Sequence, residues 1–551
     1  MDELECWAAR HPEKSAVIFP QSARARDFAT LDGNANRLAQ GLIGRGLEPG
    51  AMVAVLLENR PEIFEIAWAA RRAGLYYAML NTHLRPREIA YLLGDCGAAL
   101  LFVSRALLAL VPPEWRARRS IVCLASPSSA AEEGDAAPLY SYDALLASSA
   151  RPASLPERPV GREFLYSSDS YDALLASNPR PAPLPERPVG REFLYSSGTS
   201  GRPKGIRFPL LAAAQRGVMQ PGEKLLDQTL RFGADSVYLS PAPLYHAAPH
   251  VYSLHAMSRG KTVIALEKFE PETALSAIQR YRVTHSQWVP TMFVRMLALP
   301  EIVRAQYDLS SHTRAIHAAA PCPIHVKERM IAWWGPILVE YYAGSERIGT
   351  TLIESAAWLA HKGSVGRAIY GTIHILDEDG NDLPPGEVGG IWFEGTGGFA
   401  YHNDPEKTRA SYNARGFATL GDLGSLDAEG YLYLSDRRSD LIISAGANVY
   451  PAEIESVLLE HPLIADAAAI GVPDEDQGEV VLAAIEPVAS PESIGLTPGA
   501  IIAFCREHMA SIKCPRHVVF LERLPRTPTG KLLRRELKER FRSEMAPAAR
   551  A

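Results

Sequence analysis

The sequence predicts an α/β fold of parallel βαβ units with a smaller domain behind it. Three observations lead there. The chain has 551 residues, too many for one hydrophobic core. Through the first hundred residues, and again from Leu230, helical-period segments alternate with short continuous apolar runs. From about Gly371 the texture changes to short strands separated by DG, PG and EG turns, and after Ser439 a second set of helices and strands begins.

The elements follow in order. "FATLDGNANRLAQGLIGRG" is apolar at helical spacing and ends on Gly46, and "MVAVLLE" follows as a buried strand. "RPEIFEIAWAARRAG" is the next helix, with Pro61 near its first turn and Gly74 just past its end. The rhythm resumes in "LRFGADSVYLSPAPLYH", "KTVIALEKF", "PETALSAIQRYRV" and "THSQWVPTMFVRML". "GTIHILDEDGNDLPPGEVGGIWFEG" and "GYLYLSDRRSDLIISAG" are strand–turn text. "AEIESVLLEHPL", Ile464 to Val472, "VVLAAIE" and a helix near Ala500 to His508 form the small terminal domain. The expected division is 1–436 and 437–551.

Residues Ser141–Ser168 recur as Ser170–Ser197 at an offset of 29, differing only at Ser149/Asn178, Ala150/Pro179 and Ser154/Pro183. Two copies do not make a solenoid. A duplicated proline-rich connection plus one strand, "REFLYSS", is the simpler reading, with 141–169 as the insert. The first copy continues into Asp169-Ser170-Tyr171, which has no glycine or lysine and brings a carboxylate. The second continues into "GTSGRPKG". There, glycines permit tight curvature, hydroxyls and N–H groups donate to phosphate oxygens, and Lys204 adds a point charge. The second copy is therefore expected in the sheet and the first at the surface. The loop is not a Walker A, because Lys204 lies between Pro203 and Gly205.

Composition sets the surroundings. A formal net charge of −6 gives no footprint for nucleic acid, and no run of about 18 apolar residues suggests a membrane span. The acidic start lacks an apolar segment, so a cytoplasmic protein is expected. Cys6, Cys96, Cys123, Cys322, Cys505 and Cys514 are scattered without a CxxC pair, as reduced thiols would be.

"LYSSGTSGRPKG" closely resembles the phosphate-binding signature of the adenylate-forming superfamily, which includes the acyl-CoA synthetases. Further stretches resemble its other motifs in the same order: "PLYH" (243–246), "HAAAPCP" (317–323), "EYYAGSE" (340–346), "LGDLG" (420–424), "SDRRSDLIISAGANVYPAEIE" (435–455) and "PRTPTGKLLRREL" (525–537). The resemblance covers nearly the whole chain outside the insert. It implies a large N-terminal domain of parallel sheets with a small β-barrel-like part, and a small mobile C-terminal α+β domain. It also implies ATP, Mg²⁺ and CoA as cofactors and a small carboxylic acid as substrate.

Carried over by motif, Ser197, Gly198, Thr199, Ser200, Gly201 and Lys204 would hold the β- and γ-phosphates. Glu346 would hold magnesium and Ser345 would meet the α-phosphate. Tyr341, Tyr342 and Ala343, with Ala318, Ala319 and Ala320, would line the nucleotide site. Asp422 would accept from the ribose hydroxyls, with Arg437 beside it. Lys531 would bridge the acid's carboxylate and the α-phosphate. His246, Trp288 and Gly344 would border the acyl pocket, Gly446 and Ala447 the CoA channel, and Ser439 the hinge. A homodimer is compatible with the resemblance.

Two positions depart from the family pattern. Arg347 directly follows Glu346, where it could form an ion pair with it, and Leu420 replaces a hydroxyl residue. Three alternatives to a complete CoA ligase therefore stay open: a ligase that takes a preformed acyl-adenylate, one that acylates a carrier protein, and a nucleotide-binding relative without turnover. "YHAAPHVYSLHAM" and "WVPTMF" carry no evident basic anchor, which favours a largely hydrophobic monocarboxylic acid. Long-chain, aryl and polycyclic acids all fit.

Overall fold

A computed structural model describes residues 1–116, 121–124, 140–141, 183–196, 203–395, 397–437, 440–444, 447–474, 477–488, 495–527 and 532–545. The loop holding Ser197 to Gly201, most of the first repeat copy, Ser439, Gly446 and Lys531 lie outside the described residues.

The helices form where the periodicity places them. Glu62–Ala73 begins behind Pro61 and ends at Gly74, whose φ of +73° is the left-handed conformation that a residue without a Cβ adopts cheaply. Phe28–Gly44 starts on Asp27, whose carboxylate accepts the Thr30 N–H at 2.6 Å. It stops two residues before Gly46, which has φ +77°.

Three sheets are described. In the first, Tyr140–Ser141, Ile121–Leu124, Ala98–Ser104, Met52–Leu56, Tyr76–Met79 and Arg191–Ser196 run parallel, and Lys204–Ile206 closes it antiparallel. The second copy of the repeated strand thus sits in the sheet, as expected. Its entry is tight: a Cβ on Gly190 would lie 2.2 Å from the Leu75 carbonyl oxygen and 2.3 Å from that of Ala70.

The second sheet has thirteen strands. Ser15–Phe19, Thr262–Ala265, Val237–Ser240, His285–Trp288, Arg314–His317 and Leu338–Ala343 are parallel neighbours. The β-barrel-like part continues this sheet. Antiparallel strands from Thr350–Glu354 to Thr372–Leu376 extend it and enclose a core of their own around Ile348, Ile391 and Phe393. The third sheet belongs to the C-terminal α+β unit and centres on Ile464–Asp474 paired with Gly478–Pro487. The two large sheets share one core, in which Tyr77 of the first and Tyr238 of the second join Phe64 and Trp68 of the helix Glu62–Ala73. Among the described residues no helix is long and apolar enough to cross a membrane, and all six cysteines are free.

Candidate active site

Parallel strands end at a common edge, and ligands of α/β proteins bind outside such edges. A cleft of about 3280 Å³ opens here, lined by His246, Gln287, Ala318 to Ala320, Tyr341 to Glu346 and Asp422. That is several times the volume one small ligand needs. It has room for more than one small molecule.

The strand Leu338–Ala343 divides the cleft. Successive side chains on a strand point to opposite faces. Tyr342 turns one way: its hydroxyl donates to Asp422 Oδ2 at 2.6 Å, and its ring stacks on Phe393. Tyr341 turns the other way: its ring stacks on Tyr252 with centroids 5.8 Å apart, and its hydroxyl accepts from Gln287 Nε2 at 3.2 Å. The sequence-based reading put both tyrosines at the nucleotide. The pleat separates them, which puts Tyr341 on the wall opposite Asp422. Burial pushes its phenol up to about 12.

Asp422 and Arg437 are direct partners across the antiparallel pair Asp422–Leu426 and Leu432–Arg437. Ala319, just past the strand Arg314–His317, has φ +78°, a strained value for a residue with a Cβ. It lines the cleft with Ala320. Ser345 and Ala343 also face it.

Glu346 is 7% exposed and its Oε1 accepts the Tyr401 hydroxyl at 2.8 Å. Gly344 is needed beside it: a Cβ there would lie 2.7 Å from Glu346 Oε2 and 2.5 Å from Leu420 Cδ2. Leu420 is therefore the apolar cover of this turn. Arg347 does not pair with Glu346. Its φ of +58° turns the side chain elsewhere, and its guanidinium binds the carboxylate of Glu192 on the strand Arg191–Ser196. Burial alone would raise the Glu192 pKa, but Arg347 and Arg191 hold it at about 2. The Glu346–Arg347 ion pair that adjacency in the sequence allows does not form; Arg347 binds Glu192 instead.

Lys204 opens the strand Lys204–Ile206 with Nζ 3.7 Å from Asp404 Oδ2 and 5.6 Å from the Tyr401 ring centroid. Tyr401 therefore stands between the lysine of the phosphate loop and Glu346. Neither Tyr401 nor Asp404 is marked in the sequence, because each reaches the site from a loop that signals only turns.

His246 stands at the N-cap position of the helix Ala247–Ser258 without a side-chain capping bond, and among the described residues its buried Nε2 has no partner. Burial, aided by His83, holds its pKa near 4, so the ring is neutral at pH 7. Trp288 is 1% exposed; it donates from Nε1 to Ser286 Oγ and packs on Phe269, Phe293 and Trp334. It is a core residue that reaches the cleft wall. Ala447 lies in the strand Ala447–Val449, paired with Ser444.

Among the described residues no cluster of three acidic, histidine or cysteine side chains forms a complete metal site. Glu346 would suit magnesium as a single protein ligand, with phosphate oxygens able to supply others.

Residues 4–400 match the AMP-binding enzyme family, and residues 453–531 match the AMP-binding enzyme C-terminal domain. The chain is 32% identical over 552 residues to an indoleacetate–CoA ligase of Aromatoleum aromaticum, covering 98% of each. It is similar to the Bacillus subtilis o-succinylbenzoate CoA synthetase, solved with its acyl-adenylate intermediate (TM-score 0.73, 26% identity, 98% of each chain covered). It is also similar to ATP-bound MatB from Rhodopseudomonas palustris (TM-score 0.75, 26% identity, 99% and 100% covered).

Proposed function

The chain belongs to the AMP-binding enzyme family and is an AMP-forming acid–thiol ligase, and on that premise we propose that it activates a carboxylic acid with a largely apolar body and passes the acyl group to CoA. A carboxylate is a poor electrophile, since its leaving group would be oxide. In the first half-reaction a carboxylate oxygen attacks the α-phosphorus of ATP, the bond to the β-phosphate breaks, and pyrophosphate leaves. In the second, the thiol sulfur attacks the acyl carbon and the C–O bond to AMP breaks.

The residues divide this work. Asp422, with Tyr342 donating to it, receives the ribose hydroxyls. Ala319 and Ala320 lie against the base. Ser197 to Gly201 and Lys204 cradle the phosphates, and Lys531 bridges carboxylate and α-phosphate as charge shifts. Magnesium held on Glu346 would offset charge on the phosphate oxygens. His246, Tyr341 and Gly344 border the acyl group. Residues 437–551 turn about Ser439 between the half-reactions, and the thiol arm passes Gly446 and Ala447.

One observation favours complete adenylation over use of a supplied adenylate: Arg347 is engaged by Glu192, so Glu346 retains a carboxylate for the metal. Replacing Lys531 by alanine tests the reading. Pyrophosphate exchange driven by free acid should fall by orders of magnitude, while CoA capture of a supplied acyl-adenylate persists. Unchanged exchange in that variant would falsify the assignment. Thioester formation only with a holo-carrier protein would replace CoA as the acceptor.

A further inference from the structure

The cleft lining holds a charge that the reaction does not use. Arg71 lies in the last turn of the helix Glu62–Ala73 and lines the same cleft as His246 and Tyr341. Its backbone is fixed, because its carbonyl accepts the Gly190 N–H at 2.8 Å where Gly190 has no room for a Cβ. Its guanidinium carbon sits 5.1 Å from the centroid of the Trp68 ring.

Several groups around it are engaged elsewhere. Glu192 is bound by Arg347. Glu223 accepts the Gln220 N–H at 2.8 Å. Asp2 is taken by Arg72. His250, held neutral by burial with a pKa near 4, meets the Tyr77 hydroxyl at 3.3 Å. The carboxylates of Glu3, Glu192 and Glu223 act on Arg71 only through space. Among the described residues the Arg71 guanidinium therefore makes no hydrogen bond and no ion pair. Five N–H donors on an inward wall are costly unless an acceptor meets them.

The lining that holds Arg71 pairs apolar surface from Trp68, Leu226, Tyr252 and Leu254 with the polar groups of Glu192, Glu223 and His250. A guanidinium matches a planar oxygen acceptor and favours it over a hydrocarbon terminus. We propose that Arg71 is a specificity-determining residue, receiving a keto or carboxylate oxygen at the far end of the substrate acid while the apolar body lies against Trp68 and Leu254. The proposal rests on the ligase reading above. It also supplies the basic anchor missing from the segments around His246 and Trp288, from a helix far earlier in the chain.

The test is a panel of acids, aliphatic and aryl and of several lengths, each with a terminal methyl, keto or carboxylate group. kcat/KM is read from acid-dependent pyrophosphate release. Wild type should prefer a keto or carboxylate terminus over the matching methyl by about ten- to hundredfold, the range one charge-assisted hydrogen bond supplies. The preference should lie in KM. Arg71→Met should bring that ratio to about one, and Arg71→Lys should keep part of it. Preference for either oxygen terminus supports the assignment and tells a neutral acceptor from an anion. Equal use of all three termini by wild type, or a preference that survives Arg71→Met, overturns it while leaving the ligase intact. Turnover of no acid at all defeats the ligase reading, and this inference with it. If Arg71→Met does not fold, the wild-type ratios alone decide.

Discussion

Replacing Arg347 with methionine separates two roles for this side chain: service to Glu346 at the active site, or neutralisation of Glu192 in the interior. Methionine keeps the length and inherits the same backbone at φ +58°, so only the charge and its hydrogen bonds are lost. Glu192 is 8% exposed, and its carboxyl stands near 2 rather than the usual 4.5. That difference corresponds to about 3 kcal/mol. Two facts reduce what the substitution removes. The Arg347 side chain is 36% exposed, so water screens part of the pair, and Arg191 remains beside Glu192. A loss of about 2 kcal/mol follows, below the roughly 3–5 kcal/mol for breaking a fully buried pair.

Urea unfolding at pH 7 measures it, with Glu192→Gln and the double variant completing a cycle. The double variant should recover most of the loss. The sign with pH is fixed by the lowered Glu192 carboxyl. The pair's contribution is complete above about 4.5 and fades as pH falls toward 2. The KM for ATP and the magnesium requirement should move by less than about threefold, far below the cost of a broken transition-state contact. Unchanged stability with collapsed acid activation would refute the interior role and return Arg347 to Glu346.

Tyr401→Phe removes the hydroxyl that donates to Glu346 Oε1 while keeping the ring near Lys204; acid-dependent pyrophosphate exchange should fall about tenfold or more, and thiol capture of a supplied acyl-adenylate should not. His246 and His250 titrate near 4 in the folded chain, below an ordinary histidine, so acid favours the unfolded chain. Stability should drop as pH falls from 6.5 to 4, by up to about 1.4 kcal/mol per pH unit for each; a flat stability profile across that window contradicts their burial as neutral rings. Gly190→Ala sets a methyl 2.2 Å from the Leu75 carbonyl oxygen and should cost about 3 kcal/mol in a thermal or urea melt, whereas Gly222→Ala, with open space, should cost little.

What the sequence revealed depended on the range of the interaction. Helix limits such as Pro61 and Gly74 are set by neighbours in the chain, so they could be read directly. The order of motifs from Lys204 to Asp422 also survived, because each motif carries its own loop geometry. The pairing of Arg347 with Glu192 did not, since it joins residues of two different sheets and adjacency to Glu346 suggested the wrong partner. The opposed Tyr341 and Tyr342 required knowing that Leu338–Ala343 is a strand. Tyr401 and Arg71 come from segments with no motif, and only tertiary packing brings them to the cleft.

The repeated strand leaves the nascent chain with two candidates for one position. Gly161, Glu163 and Phe164 duplicate Gly190, Glu192 and Phe193, the residues that fit against Leu75, bind Arg347 and pack on Gly205. Only the later copy is followed by Lys204–Ile206, the strand that pairs with it and closes the sheet. What tells the near-identical segments apart is therefore the text that follows them, Gly198 to Gly205 after one and Asp169-Ser170-Tyr171 after the other.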